Sequence, residues 1–295
     1  MHTAVFGLGA MGFGVATSVL KAGNPTYGFD VSTSQVEKFH KAGGSPTALN
    51  DIVSKLECVV VVVLNAAQTE SVLFGDAGVV PKLAAGTIVI SCATVAPEFA
   101  RDMALRCGEY EVLYLDAPIS GGSVKAANGE LSVLASGARE SFDAARPVLD
   151  AMASTVFELG HDAGAGSAMK SVNQLLAGVH IATMAEALTF GVTQGVSPEK
   201  FLQVISQCAG SSWMLENRAP HIINGDYTPL SAVNIWLKDL GIVLDIADTA
   251  NFDAPVTKAA LQQFTRASEQ GLGQEDDSAV AKVYARDAGI KLPGE

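Results

Sequence analysis

The stretch that decides the fold is TAVFGLGAMGFGVATSVL, residues 3–20. Its start, TAVFG, is short, apolar and β-branched, so it reads as a buried strand. From residue 11 to 22 the apolar spacing becomes helical, and Gly23 closes the helix. Between them lies Gly7-Leu8-Gly9-Ala10-Met11-Gly12, a G-x-G-x-x-G turn in the context that gives the pattern meaning. Such a turn brings backbone N–H groups and the positive end of a helix toward a pyrophosphate. Residues 26–30, TYGFD, read as the next strand, and Asp30 stands at its end. A carboxylate there suits the hydroxyls of an adenosine ribose and repels a 2′-phosphate. No Arg follows in DVSTSQ, so the implied cofactor is NAD rather than NADP.

Working outward, the alternation continues. A helix is expected over about 33–42, then the continuous apolar run CVVVVVL (58–64), suited to a strand covered on both faces. TIVISC (87–92) and VLYLDAP (112–118) read as further strands, with helices near 66–74 and 97–107. LSVLASG (131–137) and TVFELG (155–160) add two more strands around a helix at about 139–152. This order predicts a doubly wound parallel sheet of Rossmann type. After Gly160 the strand signal stops. Residues 167–194 read as one helix of about 40 Å, and the rest reads as shorter helices. The expected division is a cofactor domain over 1–162 and an all-α domain over 163–295 for substrate binding and oligomerisation, begun by a long interdomain helix.

Bulk composition narrows the function. Of the 295 residues 48% are hydrophobic and 17% charged, as in a packed globule, and the formal net charge of −12 disfavours a nucleic-acid partner. Four Cys (Cys58, Cys92, Cys107, Cys208) form no C-x-x-C pair and read as reduced thiols. Five scattered His offer no metal-ligand spacing. The glycine strand begins almost at Met1, and the longest unbroken apolar run falls short of the ~20 residues that span a bilayer. A cytoplasmic protein without membrane contact is the expectation.

Three further places carry chemistry. In DAPISGG (116–122), Ser120, Gly121 and Gly122 offer N–H groups and a hydroxyl beyond a strand's carboxyl end, suited to a carboxylate. In GAGSAMKSVNQ (164–174), Lys170, Asn173 and Gln174 stand at i, i+3 and i+4 on one helical face. A Lys on so apolar a helix can serve general acid-base work if desolvated, or can snorkel to water from the first turns. In IWLKDLG (235–241), Lys238 lies among Trp236, Leu237 and Leu240. The long helix is apolar nearly all round, so it is expected to be buried on every side, with a subunit interface in a homodimer or homotetramer.

Together these ordered motifs, with DDSAV at 276–280, make the chain resemble the β-hydroxyacid dehydrogenases along essentially its whole length. That family includes 3-hydroxyisobutyrate dehydrogenase and tartronate semialdehyde reductase. The resemblance implies an NAD-dependent oxidoreductase in which Lys170 is the catalytic acid-base group. It implies that Asn173, Gln174 and the Ser120–Gly122 loop meet substrate, that Lys238 lies near substrate and cofactor, and that Leu64 and Thr94 lie along the cofactor. LNAAQ (64–68), QLLAGVHIA (174–182), GSSWMLENR (210–218), GDYTPLSAV (225–233) and QEDDSAV (274–280) point to a branch that oxidises the C2 hydroxyl of a four-carbon sugar acid. Two departures stand out: Asn65 replaces the usual Pro, and Ala93 the usual Ser, which leaves both side-chain roles open. A catalytically inactive binding module is the other class of function. The retained Lys170 and the acidic charge argue against it.

Overall fold

The computed structural model describes residues 1–294. The chain divides into two compact units, Met1–Lys170 and Ser171–Glu295.

The first unit is built on five parallel strands: β1 (Thr3–Phe6), β2 (Thr26–Phe29), β3 (Cys58–Val61), β4 (Ile88–Ser91) and β5 (Leu113–Asp116), in the order β2-β1-β3-β4-β5. Every residue of β1, β3 and β4 is buried. The alternation of side chains divides them between two cores. Val5, Val60, Ile90 and Leu115 fill one, with Val15 and Val19 of the first helix. Ala4, Val59, Val61, Val89 and Tyr114 fill the other. This is the doubly wound, Rossmann-type architecture expected from the sequence.

The later strands depart from a simple continuation. β7 (Leu131–Ala135) and β8 (Ala153–Glu158) pair in parallel, and β6 (Ile119–Ser120) joins β7 antiparallel, giving a second sheet of order β6-β7-β8. The chain changes sheets at Asp116. Its side of β5 still follows β4, while its own N–H and C=O exchange hydrogen bonds with Ser136 at 3.1 and 2.8 Å. Two residues are too short to show a strand pattern, so β6 escapes a reading of hydrophobic periodicity.

The second unit is helical: Pro198–Ile205, Trp213–Asn224, Val233–Thr249, Pro255–Ala267 and Ala281–Ala288 follow the long helix Ala165–Thr193. Its core gathers Ile181, Leu188, Phe201, Trp236, Leu240 and Phe264. Start signals are locally legible. Ser197 caps the helix that Pro198 opens, and Ser212 accepts the Leu215 N–H. Within the single chain the long helix is only partly covered. Val172, Leu176 and Phe190 are exposed, while Ile181, Met184, Ala185 and Leu188 are buried. By length and composition alone it could cross a bilayer, a test that a core helix passes equally well.

Candidate active site

The glycine turn sits where β1 has β2 on one side and β3 on the other, the switch point at which open α/β sheets bind ligands. Gly7 holds a φ of +91°, and a Cβ there would lie 2.2 Å from the Val62 carbonyl oxygen. At Gly12 a Cβ would lie 1.8 Å from the Gly7 oxygen. Gly7 is glycine because the turn packs against the chain leaving β3, and Gly12 because the turn packs against itself. Gly9 differs: a Cβ there would meet no heavy atom within 4 Å, so its open side faces outward. That is the cradle a dinucleotide pyrophosphate requires, at the start of the helix Gly12–Lys21. Within the motif Leu8 is buried in the core, Ala10 is exposed and Met11 half-buried.

Asp30 follows β2 and is tied to the same turn. Its Oδ2 accepts the Leu8 N–H at 2.6 Å, and its Oδ1 accepts the Ser32 N–H at 2.7 Å. Val31 beside it is fully exposed and brings no cation. The residues present fit NAD: an open pyrophosphate cradle and a carboxylate at the ribose end.

The next two strand ends carry Leu64 and Thr94, the remaining residues expected along the cofactor. Leu64 is exposed beyond β3, and its N–H donates to Gln68 Oε1 at 2.9 Å. Asn65 Oδ1 accepts the Gln68 N–H at 2.9 Å. The residue whose role the sequence left open is therefore the N-cap of the helix Ala66–Phe74. Thr94 is half-buried just past β4. Ala93 beside it packs with Val95 and Ala100.

Lys170 closes the first unit. It is only 8% exposed, so the snorkelling alternative is excluded, and its Nζ donates to the Ile119 carbonyl at 2.9 Å. Ile119 opens β6, which runs into Ser120, Gly121 and Gly122. Positive φ values of 132° and 80° turn the chain at the two glycines, and the helix Gly122–Asn128 starts there. The structure thus brings Lys170 to the strand that carries the Ser120–Gly122 loop.

In the second unit Asn173, Gln174 and Lys238 converge on a residue the sequence reading passed over. Asn173 Nδ2 donates to Gln174 Oε1 at 3.0 Å, and Gln174 Nε2 donates to Asp239 Oδ2 at 2.5 Å. Lys238 Nζ lies 2.6 Å from Asp239 Oδ1. Asp239 is 3% exposed and faces both partners from the helix Val233–Thr249. Its place beside Lys238 in KDL was the available signal. Among the described residues no group of three or more His, Cys, Asp or Glu could hold a metal ion.

Comparison with known proteins agrees with this geometry. Residues 2–160 match the NAD binding domain of 6-phosphogluconate dehydrogenase, and residues 164–284 match the NAD-binding domain of NADP-dependent 3-hydroxyisobutyrate dehydrogenase. The chain is 49% identical to the L-threonate dehydrogenase of Cupriavidus necator over 292 residues, 99% of this chain and 97% of that one. It is 44% identical to the L-threonate dehydrogenase of Escherichia coli K12, again over 99% and 97% of the two chains. A crystal structure described as 3-hydroxyisobutyrate dehydrogenase from Salmonella typhimurium superposes with a TM-score of 0.90 at 42% identity, covering 96% of this chain and 99% of that one. The chain belongs to the β-hydroxyacid dehydrogenases, NAD-dependent oxidoreductases of short hydroxy acids.

Proposed function

We propose that this chain is an L-threonate 2-dehydrogenase, oxidising the C2 hydroxyl of L-threonate to 2-oxo-tetronate. The observation that carries the mechanism is the buried Lys170 amine held on the Ile119 carbonyl. NAD, when bound, supplies the acceptor for the hydride leaving C2. Lys170 takes the hydroxyl proton as the C2–O bond becomes a carbonyl, and returns it in the reverse direction. A neutral amine can donate to the Ile119 carbonyl and offer its lone pair to the substrate hydroxyl. Ser120, Gly121 and Gly122 hold the substrate carboxylate through backbone N–H groups. Asn173, Gln174 and Lys238 act as further substrate contacts, with Lys238 also reaching the cofactor. Leu64, Thr94 and the Gly7–Gly12 turn line the cofactor.

The names of the relatives support this substrate, since chains at 44–49% identity along nearly their whole length are L-threonate dehydrogenases. The 3-hydroxyisobutyrate name of the superposing Salmonella protein keeps a second reading in view, action on a three-carbon or branched hydroxy acid. Steady-state rates with L-threonate, D-glycerate and 3-hydroxyisobutyrate, each with NAD and NADP, separate them. L-Threonate with NAD should give the highest kcat/KM. A higher value with either other acid would overturn the assignment. Lys170→Ala should lower kcat by roughly 10²–10⁴-fold.

The same reading takes 1–162 as the NAD-binding domain and 163–295 as the substrate and oligomerisation domain, working in the cytoplasm. Exposed Val172, Leu176 and Phe190 on the long helix support a subunit interface in a homodimer or homotetramer. Light scattering that finds only a 30.5 kDa species would reject it.

A further inference from the structure

The long helix begins with backbone N–H groups that no helical carbonyl can reach. Its start is held instead by one carboxylate from the end of β5. Asp116 is 1% exposed. Its Oδ2 accepts the Gly164 N–H at 2.9 Å, the Ser167 N–H at 2.8 Å and the Ser136 hydroxyl at 3.2 Å. Its Oδ1 accepts the Ser167 hydroxyl at 2.6 Å. Ser136 Oγ in turn accepts the Gly166 N–H at 2.9 Å. Burial pushes the Asp116 carboxyl up, and the donors from Ser167, Gly164 and Ser136 pull it back. The helix start packs closely on the strand ends, since a Cβ on Gly166 would lie 2.3 Å from the Leu134 carbonyl oxygen.

The same two segments meet a second time three residues further along each: Lys170 Nζ donates to the Ile119 oxygen. Asp116 with Ser167 and Ile119 with Lys170 therefore form two rungs between the strand leading to the Ser120–Gly122 loop and the helix carrying the amine. A side chain as long as Lys has four rotatable bonds, so one rung alone would leave its terminus undirected. The first rung fixes where the helix starts and how far it is rotated, and that fixes where Nζ meets the carbonyl.

We propose that Asp116 is the positioning residue for Lys170, setting the separation between the proton-carrying amine and the loop that holds the substrate carboxylate. This rests on the reading of Lys170 as the acid-base group. Asp116 is buried with both carboxylate oxygens engaged by the protein, so its effect is transmitted through Ser167 and the first turn of the helix. Asp116→Asn preserves shape but removes the charge that the Gly164 and Ser167 N–H groups meet, and its NH₂ forces the Ser167 hydroxyl to accept where it had donated. Ser167→Ala removes only the shortest of the four bonds.

The experiment compares the wild-type full chain with Asp116→Asn, Ser167→Ala and Lys170→Ala, measuring kcat, KM for NAD, KM for L-threonate, thermal midpoint and the pH profile of kcat/KM. Misplacing a catalytic group by about 1 Å costs on the order of 10²-fold. Asp116→Asn should lower kcat roughly 10- to 100-fold with KM for NAD within about twofold. The midpoint of its pH profile should move, because the surroundings of the amine change. Ser167→Ala should show the same pattern more weakly. If Asp116→Asn does not fold, Ser167→Ala decides. A folded variant with wild-type kcat, or one whose rate falls equally at every pH, would overturn the proposal. A fully active Lys170→Ala would instead overturn the Lys170 reading. An inactive Lys170→Ala beside fully active Asp116→Asn and Ser167→Ala would overturn the Asp116 proposal alone.

Discussion

Removing one half of the buried ion pair in the helical unit should cost far more than removing both halves. Arg218 Nε donates to Asp277 Oδ1 at 2.6 Å, and Trp236 Nε1 donates to Asp277 Oδ2 at 2.9 Å. The two charged side chains are 9% and 0% exposed. Asp277→Leu leaves the guanidinium buried without its counter-charge, a loss of about 3–5 kcal/mol. Arg218 also donates to Asn217, so the lower half of that range is expected. Leaving the Trp236 N–H unmet adds about 1–3 kcal/mol. Against a typical total of roughly 5–15 kcal/mol, this brings the unit near unfolding. Arg218→Met strands the carboxylate instead. Burial already pushes the Asp277 carboxyl up, and the guanidinium is what draws it down. Without it the folded protein holds that proton to higher pH than the unfolded chain does. The stability of Arg218→Met should then fall as pH rises above about 4. The double variant Arg218→Met/Asp277→Leu removes both desolvated charges and should lose only the indole contribution, about 1–3 kcal/mol. Urea titration followed by tryptophan fluorescence reads this unit selectively, because Trp213 and Trp236 are the protein's only two tryptophans and both lie within Ser171–Glu295. Protein concentration is held fixed across variants. If the double variant loses the sum of the two single losses within about 0.5 kcal/mol, the pair is uncoupled and the reasoning fails.

Two other outcomes follow from the geometry. Asn65→Ala should destabilise the first unit by about 1 kcal/mol through loss of the helix cap, while Asn65→Asp should stay close to wild type; thermal midpoints test this, and equal midpoints for Ala and Asn would refute it. Native thiol titration at pH 8 should find one reactive cysteine, Cys208. Cys58, Cys92 and Cys107 are buried, and burial pushes Cys92 and Cys107 up to about 12 and Cys58 higher still, so they stay protonated. More than one fast-reacting thiol before denaturant is added would contradict the structure.

What could be read from the sequence was local. The glycine turn, the apolar strands and the start of the long helix are all set by residues within a dozen positions of one another. What escaped depends on distant partners. Lys170 could have snorkelled, and the group that settles its burial is a carbonyl 51 positions earlier, on a two-residue strand with no periodic signature. DDSAV was recognisable as a pattern, yet its second Asp acts on Arg218 and Trp236, which lie 59 and 41 positions away. Its first Asp accepts the Leu230 N–H and the Ser278 hydroxyl, fixing the turn into the last helices. Asn65 is a different case. Asn-x-x-Gln is a visible capping pattern, but beside family usage it reads only as a departure, and the cap itself shows in the structure. The long helix is a third case: its composition says that its faces avoid water and not which partner covers them.

The bond from the Leu8 N–H to Asp30 has a bearing on how cofactor choice can change. Asp30, the carboxylate proposed to meet the ribose, is also a fastener of the glycine turn. Replacing Asp30 by a small or basic residue to admit a 2′-phosphate would release that N–H and the Ser32 N–H together. The immediate product would be an enzyme weaker toward both dinucleotides rather than one converted to NADP. A redesign, or a natural lineage, must first supply another acceptor for the turn. A preference set by Asp30 would thus be protected by linkage within the loop, and a switch would need at least two coordinated substitutions.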